Sequence, residues 1–189
     1  MTSQPLSPSF NGPIMTEVAP MSGPRVVAIC ISAGGVPKRP LLEAEVSIEG
    51  ICGDLHAHDK HNRPDRALCL FDLEILRQLV DEGFRLEPGT AGENITVEGL
   101  NVQELPTGTL LQIGEVVIRL EVPRKPCYVL DSIAPQLKDA IVGRCGYMAS
   151  VLRPGTVRPG MTIQRVENDL DIVVSMHCTS NSHREFKLT

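Results

Sequence analysis

Short runs of β-branched and aliphatic residues, separated by glycine and proline, are the feature that most constrains the fold of this chain. The clearest run is LLQIGEVVIRLEV (110–122), which predicts a hairpin that turns at Gly114 and Glu115. In its second arm, apolar residues at 118, 120 and 122 alternate with charged residues at 119 and 121. Alternation of this kind indicates a strand with one buried face.

Other runs of the same composition predict further strands. They are RVVAICIS (25–32), EAEVSI (43–48), RALCLF (66–71), NITV (94–97), YMASVL (147–152) and MTIQRV (161–166). The sequence GGVPKRP (34–40) is expected to be a loop, and RPGTVRPG (153–160) a turn joining the last two strands.

Two segments are typical of helices. DLEILRQLVDEG (72–83) predicts a helix with Asp72 as its N-cap, an apolar stripe, and an end at Gly83. APQLKDAIVG (134–143) predicts a shorter helix that ends at Gly143. Many short strands with two or three short helices, and no repeat or βαβ alternation, predict a mainly β, barrel-like domain.

The length of 189 residues allows one sizeable domain. We assign that domain to residues 25–167. Residues 1–24 are rich in proline, serine and glycine and predict a disordered tail. Residues 168–189 form a C-terminal extension that we expect to be partly disordered, although DLDIVVSMHC within it also suits a strand.

Composition argues against several classes of partner. A net charge of −5, no tryptophan, four phenylalanines and two tyrosines are unfavourable for nucleic-acid binding. No apolar stretch reaches the roughly 20 residues that span a bilayer, and no secretory signal is apparent. We therefore expect a cytoplasmic protein without a membrane partner, whose six dispersed cysteines are reduced thiols.

Cys127 lies in an unusual setting, the segment PRKPCYVL (123–130). Arg124 and Lys125 place two cations beside its thiol, and prolines at 123 and 126 restrict the backbone. Adjacent cations favour a thiolate, which is the form that attacks electrophiles and binds metals, and they also suit a phosphate or other oxyanion. Cys127 is therefore the candidate catalytic residue and metal ligand, against the alternative of a buried cysteine at a strand end.

The segment PGTAGENITVEGL (88–100) is a second candidate. Its glycines permit close approach of the backbone to a ligand, and Gly92, Glu93 and Asn94 precede a strand. Backbone N–H groups with an asparagine amide can hold a pterin edge or a phosphate. Spacing alone favours the simpler interpretation, a tight turn into a strand.

A third segment, CGDLHAHDKHNRPDR (52–66), is dense in N, S and O donors. They include Cys52, Asp54, His56, His58, Asp59 and His61. The spacing matches no closed structural zinc site, and such polar clusters are usually solvated loops. We favour a role in binding an anionic ligand, through His56 with Arg63 and Arg66.

The segment GRCGYMASVL (143–152) places Arg144 next to Cys145. Cys145 is either a second reactive thiol or a small residue that fills space at a strand start. Cys30 and Cys69 lie in apolar runs and are assigned to the core. The sequence contains no GxSxG, P-loop, Rossmann or HExxH pattern, so hydrolase, kinase and dehydrogenase functions have no support.

In this order, the segments resemble a stand-alone MOSC domain, the domain also found at the C-terminus of molybdenum cofactor sulfurases. The resemblance runs from about Val26 to about Val166. It is carried by GICGDLHAH, RALCLF, LEPGTAGENITVEGL, GTLLQIG, PRKPCYVL and GRCGYMASVLRPGTVRPGMTI. The most specific part is GENITVEGL followed by PRKPC.

The resemblance implies a β-rich fold like the small barrel domain of pyruvate kinase, and a connection to the molybdenum cofactor, a molybdopterin. It also implies that Cys127 is the signature thiol, as a molybdenum ligand or a persulfide carrier. Arg124, Lys125 and Arg144 would hold the phosphate of the pterin, and the Gly92–Glu93–Asn94 loop would meet the pterin. No domain for pyridoxal phosphate, flavin, haem or iron–sulfur chemistry is expected, so a reductase would need electrons from a partner protein.

Three hypotheses follow. The first is a molybdenum cofactor-dependent oxidoreductase that reduces N-hydroxylated small molecules with an electron-donor protein. The second is a non-catalytic carrier of sulfur or cofactor that is served by a cysteine desulfurase. The third is a binding module for a small anion in which Cys127 is inert. The first two require the same thiol, so the sequence leaves open whether the protein is an enzyme.

Overall fold

The computed structural model describes residues 23–55 and 63–167. It contains eleven strands and three helices within those residues. The strands are β1 (Arg25–Ile31), β2 (Arg39–Leu41), β3 (Ala44–Ser47), β4 (Gly50–Ile51), β5 (Leu68–Asp72), β6 (Ile95–Glu98), β7 (Leu110–Ile113), β8 (Val116–Pro123), β9 (Tyr147–Arg153), β10 (Gly155–Val157) and β11 (Ile163–Val166). The helices are α1 (Leu73–Asp81), α2 (Val129–Ile133) and α3 (Leu137–Ala140).

Eight strands form the main sheet in the order β11-β7-β8-β9-β5-β6-β1-β2. The sheet curls until β1 meets β11, where Arg25 and Thr162 form an isolated bridge and Val26 N donates to Met161 O at 2.9 Å. Because only this short contact joins the two strands, the sheet is barrel-like rather than a closed barrel. The predicted mainly β fold with two or three short helices is confirmed.

A three-stranded sheet, β10-β3-β4, lies beside the main one. The sequence predicted a plain turn at residues 153–160, but part of that segment is β10, which pairs with β3. The strands β9 and β11 on either side of it are not neighbours, because β7 and β8 lie between them in the main sheet. Pairing across long sequence distances cannot be inferred from a local turn pattern.

The hairpin prediction is confirmed. Strands β7 and β8 pair antiparallel around Gly114 and Glu115, with Ile113 opposite Val116. Ile118 and Leu120 are fully buried and Arg119 is exposed, as the alternation predicted. These strands contribute to a core that fills the interior of the curled sheet.

Helix α1 also lies where its pattern predicted, after Asp72 and before Gly83. The Asp72 side chain does not cap α1; its Oδ1 accepts a hydrogen bond from Val102 N at 2.9 Å. Helix α1 joins β5 to β6, which pair in parallel, so the fold contains one βαβ unit that the sequence did not predict. A second core lies between the helices and the outer face of the sheet.

Helix α2 was not predicted, and α3 is shorter than the predicted segment 134–143. Within the residues that the structure describes, no helix is long and apolar enough to cross a membrane. Residues 1–22 of the predicted tail, the C-terminal strand candidate, and the histidines at 56, 58 and 61 lie outside the described residues, so those predictions stay predictions.

Candidate functional site

One cavity of about 420 Å³ collects most of the candidate residues. Its walls come from the loop between β1 and β2, from β5, from the segment before β6, and from the end of β8 and the start of α2. Small-molecule sites typically have volumes of roughly 300 to 1,000 Å³. Within residues 23–55 and 63–167, the lining includes four cations, Lys38, Arg66, Arg124 and Lys125, and two thiols, Cys69 and Cys127.

Cys127 lies where β8 has ended and α2 has not begun. Leu130 N donates to the Cys127 carbonyl at 3.1 Å and so starts the turn that becomes α2. The residue is exposed and forms no disulfide. Its side chain therefore borders both the cavity and the solvent, which is the position a reactive thiol needs.

Arg124 is anchored at both ends. Its backbone N donates to Gly146 O at 2.9 Å, and Nη2 of its side chain donates to Ala91 O at 2.7 Å. Nη1 is buried and has no hydrogen-bond partner among the described residues. A buried, unpaired N–H of a guanidinium is costly unless a ligand or a water accepts from it.

The electrostatic surroundings of Arg124 stabilise its charge. Burial acts to lower the pKa of Arg124, but the negative charge that Cys69, Cys145, Glu93 and Cys127 carry when they are ionised outweighs burial and raises this pKa above its usual value. The guanidinium is therefore a permanent positive charge in the wall of the cavity.

The two buried thiols near Arg124 differ from Cys127. Burial raises the pKa of Cys145 to about 11 although Arg124 acts to lower it, and burial likewise raises the pKa of Cys69. Both are therefore protonated at neutral pH and chemically quiet. Cys69 belongs to the core, as the sequence indicated, and it also lines the cavity.

Gly92 meets the expectation of close approach. Its φ is +88°, and a Cβ there would lie 2.8 Å from Val36 Cγ1 and 3.4 Å from Arg124 Nη2. A side chain at this position would push against the guanidinium and the cavity wall. Glycine is therefore required by the shape of the site.

Glu93 and Asn94 support the site more than they line it. Glu93 is fully buried, outside the cavity lining, and its Oε1 accepts from Gly89 N at 2.7 Å and Thr96 Oγ1 at 3.0 Å. Asn94 borders the cavity, but its Oδ1 accepts from Cys69 N at 3.1 Å. Asn94 thus joins the segment before β6 to β5, and Glu93 joins that segment to Gly89 and to Thr96 of β6.

The backbone N–H groups of the same segment are also engaged. Gly92 N donates to Gly89 O at 3.1 Å, and Asn94 N donates to Cys69 O at 2.9 Å. The sequence suggested that such N–H groups hold a phosphate. Because these two already have partners, side-chain cations are the better anion ligands here.

Lys38 and Asp54 are site residues that the sequence analysis did not single out as a pair. Lys38 lines the cavity and forms an ion pair with Asp54, whose side chain is only 4% exposed. Asp54 Oδ1 accepts from Ser32 N at 2.8 Å and Oδ2 accepts from Asn94 Nδ2 at 2.8 Å. A lysine inside the Gly/Pro loop 34–40, just after a strand, was the available signal.

Some of the remaining predicted site residues line the cavity and others do not. Arg66 and Lys125 line the cavity. Arg144 does not: its guanidinium forms two 2.6 Å bonds to Glu82 and also donates to Ala140 O, so it serves the helical layer and we leave it out of the site. Arg63 bonds Asp65 at the surface. His56 lies outside the described residues.

No aspartate or glutamate lines the cavity among residues 23–55 and 63–167, although the chain as a whole carries a net charge of −5. Nor do three or more histidine, cysteine or carboxylate side chains in those residues converge on one point to hold a metal ion. The lining of the cavity, with cations and no carboxylate among the described residues, favours an anionic ligand.

The chain matches a family model described as MOSC domain over residues 57–164, more than half its length. It belongs to the MOSC domain family. This family is associated with binding of the molybdenum cofactor. The resemblance of the sequence to MOSC domains is thereby confirmed.

Two curated relatives match the MOSC region and its flanks. Protein YiiM of Escherichia coli is 29% identical over 148 residues, covering 72% of this chain and 65% of the relative. The uncharacterized protein YflK of Bacillus subtilis is 30% identical over 144 residues, covering 69% and 62%. The chain therefore spans slightly less than two thirds of the length of these relatives.

Solved MOSC structures share the fold. YiiM of E. coli superposes with a TM-score of 0.61 at 25% identity, covering 76% of this chain and 70% of that structure. YiiM of Geobacillus stearothermophilus gives 0.65 at 24% identity and covers 84% of both chains. The curled sheet with its helical layer is thus the MOSC architecture.

Proposed function

We propose that this MOSC protein binds the molybdenum cofactor in the Cys127 cavity and reduces N-hydroxylated small molecules with electrons from a partner protein. The observation that carries the proposal is an exposed thiol bordering a cavity lined by four cations and, among the described residues, by no carboxylate. A pterin phosphate needs such cations, and a soft thiolate suits a high-valent, sulfur-ligated metal.

The residues present fit the cofactor. Arg124 has a buried N–H without a partner among the described residues, and Gly92 leaves open the space that a side chain would fill. Lys38, Arg66, Arg124 and Lys125 would hold the phosphate, and the backbone beside Gly92 would meet the pterin. Cys127 would ligate the molybdenum.

When bound, the cofactor supplies the two-electron step that converts an N-hydroxyl group and two protons to an amine and water. The chain contributes binding and orientation. Lys38 is held by Asp54, and Arg124 by Ala91 O, so neither cation needs to reorganise when the anion arrives.

The test is the metal content of protein purified anaerobically from a host that makes the cofactor. We expect about one molybdenum and one pterin per chain, and a large loss of molybdenum in Cys127→Ser. Cys52→Ser is the control, since Cys52 is exposed but does not line the cavity. Full molybdenum and full reductase activity in Cys127→Ser would exclude ligation by Cys127.

A second candidate, a carrier of sulfur or cofactor, is favoured by the exposure of Cys127, which a donor protein can reach directly. Incubation with a cysteine desulfurase and cysteine is then expected to add one sulfur, about 32 Da, at Cys127. A carrier shows this adduct without substrate turnover. Absence of the adduct at Cys127 removes the sulfur-carrier function.

A further inference from the structure

The charge around Cys127 is unevenly neutralised. Lys38 is paired with Asp54, and Arg66 lies 3.9 Å from Asp65. Arg124 has no hydrogen bond to a carboxylate, and Lys125 forms no ion pair within residues 23–55 and 63–167. The two cations that precede Cys127 in the chain therefore have no carboxylate in direct contact among the described residues, and Arg66 keeps a buried Nε without a hydrogen-bond partner there.

Two observations point to an anionic reaction partner. The first is Nη1 of Arg124, which is buried and has no acceptor among the described residues. The second is a cavity of about 420 Å³ beside the thiol with four cations in its lining. Such a cavity concentrates small anions and repels small cations.

We propose that Cys127 is also a site of reversible mixed-disulfide formation with small anionic disulfides, of which oxidised glutathione is the test compound. The Cys127 thiolate attacks one sulfur of the small disulfide, and the S–S bond of that disulfide breaks. The leaving thiolate takes the electron pair and then a proton from solvent. Cys127 is oxidised to the mixed disulfide, half of the small disulfide is reduced, and attack by a second thiol reverses the step.

This reaction uses the thiol of the proposed function but does not require the cofactor. Its consequence is competition: a Cys127 held in a mixed disulfide has no thiolate to offer a metal or a sulfur donor. The cations that favour binding of a phosphate also favour anionic over neutral or cationic disulfides as the agent that modifies Cys127. An excess of anionic disulfide would therefore close the site, and thiol reduction would reopen it.

The experiment uses the full chain, made in a host that lacks the cofactor. Oxidised glutathione, neutral 2-hydroxyethyl disulfide and cationic cystamine are each added, and peptide mass spectrometry gives the rate of modification at every cysteine. We expect the ratio of the oxidised glutathione rate to the cystamine rate to be at least about tenfold higher at Cys127 than at Cys52 in low salt. The difference should shrink at high salt, because mobile ions screen the cations.

Two variants test the cause. Lys125 is exposed, and Lys125→Gln should lower severalfold the ratio of the oxidised glutathione rate to the cystamine rate at Cys127. Lys138 does not line the cavity, and Lys138→Gln should leave this ratio unchanged. An equal charge preference at Cys127 and Cys52, or equal effects of the two variants, overturns the proposal. The molybdenum content of a separate sample from a cofactor-producing host distinguishes the two proposals. A sample without molybdenum, together with retained anion selectivity at Cys127, would contradict cofactor binding but not mixed-disulfide formation.

Discussion

The segments 91–94 and 124–127 both line the cavity and touch where Arg124 bonds Ala91 O, but their side chains are used differently. The Glu93 side chain is hydrogen-bonded to Gly89 and Thr96. The Asn94 side chain is hydrogen-bonded to Cys69 and Asp54. In the other segment, Lys125 and Cys127 are exposed. The MOSC resemblance implies that both segments contact the ligand, although spacing alone favoured a tight turn for the first. In the structure, the side chains of Glu93 and Asn94 hold the first segment in place as a framework, and the side chains of Lys125 and Cys127 are exposed.

The largest expected effect is at Asn94. Asn94→Ala removes the acceptor of Cys69 N and a donor to the buried Asp54, so it should lower the free energy of unfolding by about 3 kcal/mol. Denaturant unfolding measures this. Gln112→Ala is the matched control, because it removes one exposed bond to Gly114 O and should cost less than about 1 kcal/mol. Equal costs would show that the segment before β6 is not a framework.

Asp72 is a buried carboxylate that also supports the fold, because its Oδ1 accepts a hydrogen bond from Val102 N. Burial raises its pKa to about 6 from 3.8, although backbone N–H groups around Val102 oppose the rise. Because the folded state holds this proton more tightly, the Asp72 contribution to stability falls as pH rises from about 4 to about 6 and is constant above that range.

Asp72→Asn keeps an oxygen for Val102 N and removes the titration. The stability of the variant relative to the original protein should therefore increase by about 2 kcal/mol between pH 4 and pH 6. Denaturant unfolding across this range measures the difference, with the exposed Asp81→Asn as the control. A difference that does not change with pH would contradict the raised pKa.

Gly92 lies where the framework touches the segment 124–127. Gly92→Ala places a Cβ against Val36 and Arg124, and Gly83→Ala, also at positive φ, meets nothing within 4 Å. Both share the backbone strain, so an additional loss of about 1.5 kcal/mol in Gly92→Ala measures crowding at the cavity. The same variant should weaken the anion preference of Cys127. Identical losses in the two variants would contradict the crowding.

The smallest effect is expected at Cys127 itself. Cys127→Ser changes an exposed side chain and should alter the free energy of unfolding by less than about 0.5 kcal/mol. Cys69→Ser places a hydroxyl in the core and should cost about 2 kcal/mol. Chemical denaturation of both variants measures the two free energies of unfolding. A cost at Cys69 with almost none at Cys127 would show that only Cys69 supports the fold. A large cost at Cys127 would assign it a structural role.

Local patterns predicted the elements whose neighbours are close in sequence. The β7–β8 hairpin and α1 depend on a two-residue turn, alternation and an apolar stripe, and each appears within a few residues of its predicted bounds. Strand β10 and helix α2 were missed because they are short and are stabilised by distant partners: β3 pairs with β10, and Leu130 of α2 packs in the helical core.

The order of residues alone shows that two prolines and two cations precede Cys127 in the segment 123–127, and it is enough to place the chain among MOSC domains. The folded chain adds which other charged side chains lie near this thiol. Lys38, 89 residues before Cys127 in the chain, lines the same cavity. Arg144 does not line it, and its guanidinium is bound to Glu82. The reason is physical: adjacency in sequence sets the local field of a thiol, whereas long-range strand pairing decides which other cations share its cavity.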